Sequence, residues 1–232
     1  MASLNVIHSP APPAADSHGA TRDAILDHAE RLFSQNGVEG TSVREIIKAA
    51  GVNLGAINYH FGTKERLALE VFARRLKPVN EERIARLDAL EAAAGRRKVK
   101  LAQIIEALIR PAVESEEGGP KNCDDLMRLI SRSFQEPNPE LKKFVEQQFA
   151  EVARRFDSAI LQAVPRLPPG ELFWRMNFLF GALHHGQQMW LRFDQIPRPA
   201  SRAAVKPDRE GLIQRLISFI SAGLSAPMPK IH

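Results

Sequence analysis

Apolar residues recur every three or four positions along most of the chain, whereas strict alternation of apolar and polar residues is nearly absent. This period is that of a helix with one buried face. The first such segment begins with Thr21 as its cap and stops at Asn36-Gly37, because glycine is a common helix stop. Its apolar face comprises Ile25, Ala29, Leu32 and Phe33. The pattern predicts an all-α protein.

Two short predicted helices follow, joined by a turn at Gly51-Val52-Asn53. Ser42 and Glu45 form a capping box at the start of the first helix, because the hydroxyl and the carboxylate can each accept from a free backbone N–H group. In the second helix, Leu54 to Phe61, the apolar Ile57 and Phe61 lie on the inward face. Two helices joined in this way are typical of a helix-turn-helix, whose second member enters the major groove of DNA.

The outer face of this second helix is unusually rich in hydrogen-bonding groups. Asn58 can pair with the N6/N7 edge of adenine, and Tyr59 or His60 can bond a phosphate or pack on a thymine methyl group. Lys64 places a cation beside backbone N–H groups that favour a phosphate, and Arg44 of the preceding helix can reach a base or the backbone. Gly55 and Ala56 are small enough for close approach. The face is therefore predicted to read DNA.

The rest of the chain also has helical period. Pro78 is expected to kink or end the helix that Thr63 caps. Further helices are predicted over residues 79–94, 101–113, 125–134, 141–164, 171–193 and 208–224. The helix over 171–193 is apolar around most of its circumference, so it should be buried on several sides.

The stretch "AILDHAERLFSQNGVEGTSVREIIKAAGVNLGAINYHFGTKERL" resembles the N-terminal domain of the TetR family of bacterial transcription regulators, over about Thr21 to Phe72. The resemblance implies a homodimer that binds a palindromic operator, most commonly as a repressor, and releases it when a small ligand enters the C-terminal domain. The family's DNA-contacting positions fall here on Arg44, Leu54, Gly55, Ala56, Asn58, Tyr59, His60 and Lys64. Lys is frequent at the position of Leu54 and Tyr at that of Asn58, so an altered base preference is expected.

This resemblance implies an order of domains along the chain. Residues 1–20 are expected to form a disordered arm, because Pro, Ala, Ser and Gly dominate there. Residues 21–67 would be the three-helix DNA-binding domain, and 68–226 a larger helical ligand-binding and dimerisation domain, giving about nine helices in the whole chain. Residues 227–232 would be a flexible tail.

The segments "RLISRSF" and "PPGELFWRMNFLFGAL" resemble the PsrA-type subgroup, whose members regulate fatty-acid metabolism and respond to long-chain acyl ligands. This second resemblance implies an apolar or acyl-type effector, such as a fatty acid or an acyl-CoA.

The helix over 171–193 carries a stripe of small and polar residues, for which two interpretations remain open. The stripe comprises Asn177, Gly181, His184 and Gln188. In the favoured interpretation it lies in a dimer interface, because the last two long helices of this family usually build a four-helix bundle. In the other, polar anchors and apolar walls line a ligand pocket. The candidate anchors are Arg175, His184 and His185, and the candidate walls are Phe134, Trp174, Met176, Phe178, Phe180 and Met189.

Composition excludes some classes and leaves DNA binding open. The formal charge of +5 suits a polyanionic partner, but many soluble proteins are mildly basic, so the DNA prediction depends on arrangement. The single Cys123 cannot form an intrachain disulfide or a cysteine-based zinc site, which favours a cytoplasmic protein. No apolar run reaches the roughly 18 to 20 residues of a membrane span, so no membrane partner is expected.

Neither a nucleophile elbow nor a phosphate-binding loop nor a pair of catalytic carboxylates is recognisable, so an enzyme is not predicted. No metal or cofactor site is predicted. The alternative to a DNA-binding regulator is a helical lipid- or drug-binding protein without specific DNA recognition.

Overall fold

A computed structural model describes residues 15–114, 138–195 and 207–228, and within these ranges every regular element is a helix. The eight α-helices are α1 (Ala15–Asn36), α2 (Val43–Ala50), α3 (Leu54–His60), α4 (Lys64–Ala94), α5 (Leu101–Glu114), α6 (Pro139–Ala163), α7 (Pro169–Leu191) and α8 (Arg209–Ser225), and a 3-10 helix spans Phe193–Gln195. The predicted all-α class is confirmed. No described helix combines the length and the hydropathy that a bilayer span requires.

The chain divides into two compact units, with the boundary between Val71 and Phe72. The sequence placed this boundary after residue 67. The predicted helix over 125–134, with Cys123 just before it and Phe134 at its end, lies outside the described residues.

The N-terminal unit is built from α1, α2, α3 and the first part of α4. Its centre contains side chains that are almost completely excluded from solvent, namely Ile25, Phe33, Ile46, Ile57 and Leu67. Each of the four helices contributes to this core at helical spacing. The predicted apolar faces are therefore the faces that pack.

One predicted helix start is wrong, and of the two alternatives for Pro78 the end of the helix is wrong. α1 begins at Ala15 rather than at Thr21, because the last proline of the N-terminal segment is Pro13 and nothing after it removes a backbone donor. α4 continues through Pro78 to Ala94. The proline costs one N–H bond to the carbonyl of residue 74, and the burial of Leu76 and Val79 on either side offsets that loss.

The C-terminal unit packs α5 against α8 and α6, and α7 against α8. Its core is mainly aliphatic, with Leu87, Ile105, Leu108, Phe156 and Ile213 among the buried side chains. α5 is buried along most of its length. It is the central helix of the unit.

A charged cluster ties α5 to α8 at the edge of this core. Arg110 donates to Glu210 at 2.7 and 2.9 Å and also to Glu106 and Glu114 on its own helix. The bond from Arg110, with a second from Gln214, lowers the pKa of Glu210 from 4.5 to about 2. The Glu210 carboxylate is thus held in its ionised form.

The low pKa of Glu210 predicts an acid-dependent loss of stability. Because the folded pKa lies below the unfolded one, the contribution is complete above pH 4.5 and is lost as the pH falls towards 2. In urea unfolding, the difference in stability between wild type and Glu210→Gln should therefore shrink across that interval. Glu81→Gln, which alters an exposed pair with Lys77 at 3.8 Å, should show almost no such change. A difference for Glu210→Gln that is independent of pH would contradict the assignment.

Candidate nucleic-acid interface and ligand residues

The turn between α2 and α3 has the geometry of a tight helix-turn-helix. Both parts of the capping box are present, because Ser42 N–H donates to the Glu45 carboxylate and Glu45 N–H donates to the Ser42 hydroxyl. Gly51 has a left-handed conformation with φ of 67°, which a side chain would disfavour. Asn53 caps α3 by accepting from the N–H of Ala56 at 3.0 Å. These local bonds set the direction of α3.

The outer surface of α3 presents the side chains that were predicted to read DNA. Leu54 is 54% exposed and Tyr59 76% exposed. Gly55 and Asn58 are exposed as well, and so is Arg44 on α2, whereas Ala56 and His60 are half-buried. Ile57, between them, is buried. The helix thus has one packed side and one open side.

The absence of a side chain at Gly55 leaves room for the residue that caps α3. A Cβ atom at this position would lie 3.1 Å from the Asn53 side-chain oxygen, so a larger residue would press against the capping bond. The Tyr59 and His60 rings contact each other edge to face, with centroids 5.0 Å apart. The exposed face therefore has a defined shape as well as hydrogen-bonding groups.

Lys64 has a structural contact that the sequence did not suggest. Its Nζ donates to the carbonyl oxygens of Val38 at 2.9 Å and Thr41 at 3.2 Å. An ammonium group has three N–H donors, so one remains for a phosphate. The two acceptors lie more than twenty positions away in the chain, in the connection between α1 and α2, and no local pattern signals such a contact.

Arg22 supports the end of α3 from α1. Its guanidinium lies 5.4 Å from the centroid of the Phe61 ring and forms an ion pair with Glu70 of α4. The ring of Phe61 is buried, so the cation–π contact with Arg22 shields this ring from solvent at the edge of the core. No local sequence pattern indicates this role of Arg22, because Phe61 and Glu70 are distant along the chain.

The candidate ligand residues of the C-terminal unit are not gathered in one place. Trp174, Phe178 and Met189 of α7 are 57%, 67% and 40% exposed. His185 is exposed and His184 half-buried, and burial together with the charge of His185 lowers the pKa of His184. Phe134 lies outside the described residues.

Arg175 is buried against the C-terminal end of α8. Its Nε donates to the Glu171 carboxylate at 2.9 Å, and Nη1 donates to the carbonyl oxygens of Gly223, Leu224 and Ala226 at 3.1, 2.9 and 2.7 Å. Along α7 it lies about 13 Å from His184. The structure therefore does not bring Arg175 together with the two histidines.

Phe219 of α8, which was not among the candidate ligand residues, is 71% exposed. Phe173, Trp174 and Phe178 of α7, a helix that packs against α8, are exposed as well, and we call these four exposed side chains the aromatic face. Monomeric soluble proteins rarely expose so many large apolar side chains on two neighbouring helices. The face is a candidate protein interface.

Two family profiles match the chain. The profile "Bacterial regulatory proteins, tetR family" matches residues 25–71, and the profile "Tetracyclin repressor-like, C-terminal domain" matches residues 106–223. The second match alone spans half of the chain. It covers the helices that carry the aromatic face.

Among curated relatives, the chain is similar to the HTH-type transcriptional regulator AcrR of Shigella flexneri, with 58% identity over 52 residues, 22% of this chain and 24% of AcrR. It is also similar to the HTH-type transcriptional regulator LmrA of Bacillus subtilis, with 42% identity over 77 residues, 33% of this chain and 39% of LmrA. The chain thus matches well under two thirds of the length of these relatives.

Solved structures with the same fold match over most of their length. A TetR family transcription regulator from Marinobacter aquaeolei VT8 has a TM-score of 0.62 at 18% identity, covering 90% of this chain and 98% of that one. The transcriptional regulator FadR from Bacillus subtilis, solved in complex with stearoyl-CoA, has a TM-score of 0.58 at 18% identity, covering 87% and 98%. At such low identity the likeness concerns the fold alone.

Proposed function

Because the chain belongs to the TetR family of bacterial transcription regulators, we propose that it binds a palindromic DNA operator as a homodimer and represses transcription until a small ligand releases it. The observation that carries the DNA part is the open side of α3. Ile57 anchors that helix in the core, and Asn58 and Tyr59 face outward. The family assigns the chain to regulators rather than to an enzyme class.

In the proposed complex, α3 lies in the major groove. The amide of Asn58 pairs with the N6/N7 edge of an adenine, and Tyr59 and His60 contact a phosphate or a thymine methyl group. Lys64 offers its third N–H to a phosphate, and Arg44 approaches from α2. Gly55 and Ala56 allow the helix to come close to the base edges, and Leu54 adds an apolar contact.

Dimerisation is proposed to use the aromatic face of α7 and α8. A two-fold axis through this face would pair each aromatic side chain with the equivalent surface of the second copy. The two copies of α3 would then lie about one DNA turn apart, roughly 34 to 36 Å, in successive major grooves. The ligand must favour a conformation with another spacing, because an effector moves an equilibrium only by its difference in affinity.

The ligand class is proposed to be apolar or acyl-type. The C-terminal unit has an aliphatic core, which suits an apolar ligand body. The structural similarity to FadR from Bacillus subtilis, which was solved with stearoyl-CoA, supports the same class.

Operator selection from randomised duplexes tests the DNA proposal. Wild type should select a palindrome at moderate salt, and Asn58→Ala should relax base preference at one position per half-site, a loss of about 1–3 kcal/mol of discrimination. Gln35→Ala, which removes an exposed amide at the end of α1, should leave the selected sequence unchanged. Unaltered selectivity in Asn58→Ala would mean that another surface reads the bases.

The alternative is a lipid- or drug-binding protein without specific DNA recognition. The exposed Leu54, at a position where the family frequently has a lysine, is the feature that favours it. Selection of a palindrome by the wild type would reject this alternative.

A further inference from the structure

Arg83 is a buried cation in the middle of α4 and within the C-terminal unit. Its side chain is almost fully enclosed, with the residue 4% exposed. Nε donates to the carbonyl oxygen of Leu108 at 2.8 Å, and Nη1 donates to the side-chain oxygen of Asn80 at 2.9 Å. Both acceptors are uncharged. No carboxylate from the described ranges pairs with this guanidinium.

The guanidinium of Arg83 has N–H groups without an acceptor and a charge without an anionic partner in the described ranges. Its Nη2 has no acceptor among residues 15–114, 138–195 and 207–228. Burial lowers the pKa of Arg83 to about 10, so the group stays protonated at neutral pH. Taking such a charge out of water is costly unless an anion accompanies it.

Other arginines of the same unit do have anionic partners. Arg175, which is also buried, pairs with Glu171, and Arg110 pairs with three glutamates. Arg155 pairs with Asp88 and Glu91. These three arginines therefore each have a carboxylate partner. Arg83 is the buried arginine that has none within the described part of the chain.

A second buried polar group approaches α5 one turn further along. Gln187 of α7 is 1% exposed, and its Nε2 donates to the carbonyl oxygen of Ala112 at 3.1 Å. Within the described residues its Oε1 has no hydrogen-bond donor. Leu108 and Ala112 are one helical turn apart, so Arg83 and Gln187 reach neighbouring carbonyls from α4 and α7.

This turn of α5 is already short of backbone donors. Pro111 lies inside the helix and has no N–H to give to the carbonyl of Ala107. The segment 107–112 is thus a region of the aliphatic core that two buried polar side chains reach, and one of their atoms, Oε1 of Gln187, has no donor among the described residues. Such a set of polar groups in an apolar interior is typical of a site that orients a small ligand.

Asn80 holds the guanidinium in one orientation. Its Nδ2 donates to the carbonyl oxygen of Gln148 in α6 at 2.8 Å, which leaves its Oδ1 as the acceptor for Arg83. The guanidinium is consequently held by α4, α5 and α6 together. A donor that is ordered before the ligand arrives loses little entropy on binding.

We propose that Arg83 binds the carboxylate of an organic acid effector, with Nη2 donating to the carboxylate and the rest of the acid lying among the aliphatic side chains of the unit. This inference rests on the proposed ligand-responsive function and specifies the chemistry of its ligand. It assigns the acid head group to Arg83, and not to Arg175 or the two histidines.

Calorimetric titration of the full chain with decanoate, 1-decanol and decanoyl-CoA tests the proposal. Wild type should bind decanoate about tenfold to a hundredfold more tightly than 1-decanol, as expected for a charge-assisted hydrogen bond. Arg83→Met should abolish that preference, and Arg83→Lys, which keeps the charge without the planar fork, should retain part of it. Arg155→Met, which removes an arginine already paired with carboxylates, should retain all of it.

Three titration results would overturn the proposal. The first is a wild type without preference for decanoate, and the second is an Arg83→Met variant that keeps the preference. The third is tighter binding of decanoyl-CoA than of decanoate, because the thioester has no free carboxylate and recognition would then use the phosphates. A carboxylate side chain of this chain bonded to Nη2 in a crystal structure of the ligand-free protein would overturn it too.

Operator binding without any probe separates this inference from the proposed function. If wild type selects no operator, the proposed function fails, whatever the titration with decanoate gives. If wild type and all variants bind the operator and Arg83→Met keeps the acid preference, only the assignment of Arg83 fails. If Arg83→Met does not fold, Arg83→Lys takes its place in the comparison. A lysine variant with the same affinity for decanoate as wild type, and the same preference for decanoate over 1-decanol, would overturn the role of the planar guanidinium.

Discussion

Replacing Phe178 and Phe219 together by glutamate is expected to dissociate the protein into monomers. Both side chains are exposed in the single chain, at 67% and 71%, so their replacement leaves the core of the unit intact. In a two-fold interface each substitution occurs twice, and four buried carboxylates would lack partners. Affinity for a full palindrome should then fall by about a hundredfold to ten-thousandfold, because the two half-sites are no longer bound by one linked molecule.

Sedimentation velocity and gel shift measure these two effects on the same preparations. The variant should sediment as a monomer and bind a single half-site about as well as wild type does. Phe178→Leu with Phe219→Leu keeps the surface apolar and should preserve both the dimer and the affinity. A dimeric glutamate variant with undiminished affinity would place the interface elsewhere.

Replacing Arg175 by methionine is expected to lower the free energy of unfolding of the C-terminal unit by about 3–5 kcal/mol. The substitution leaves Glu171, whose side chain is only 16% exposed, without its cation, and the carbonyl oxygens at the end of α8 lose their donor. For a unit of this size the melting temperature should fall by roughly 10 °C.

Urea unfolding followed by circular dichroism checks this value, with the exposed Arg166→Met as control. Changing Glu171 to leucine in the Arg175→Met background should recover part of the loss, because the unpaired carboxylate is then absent. If Arg175→Met instead kept its stability and altered only the response to ligand, the original prediction of Arg175 as a ligand anchor would be the correct one.

Several parts of the N-terminal unit follow from short-range pattern alone. The capping box of Ser42 and Glu45 depends on residues three positions apart and is present as predicted, and Gly51, predicted to lie in the turn, ends α2 in a left-handed conformation. The inward placement of Ile57 and Phe61 follows from helical period. The resemblance of this segment to the TetR family, based on the same residues, is confirmed by the profile match.

The C-terminal unit was less predictable, because its helices are apolar on more than one side. Period alone could not decide whether Trp174 and Phe178 line a pocket or face outward. It could not indicate that Pro78 lies inside a continuous helix, since the compensating packing comes from other helices. Arg83 looks like an ordinary helical arginine in the sequence and Arg175 like a candidate ligand anchor, and only their distant partners show where each side chain lies.

The sequence by itself determined the helical class, the helix-turn-helix and the side of α3 that faces outward, because caps, turns and period act over a few residues. Only the tertiary structure decided that Lys64 holds the carbonyls of Val38 and Thr41, that Arg175 closes the end of α8, and that Arg83 is buried without a carboxylate in the described ranges. Burial and charge pairing depend on which segments meet in space, and local pattern does not contain that information.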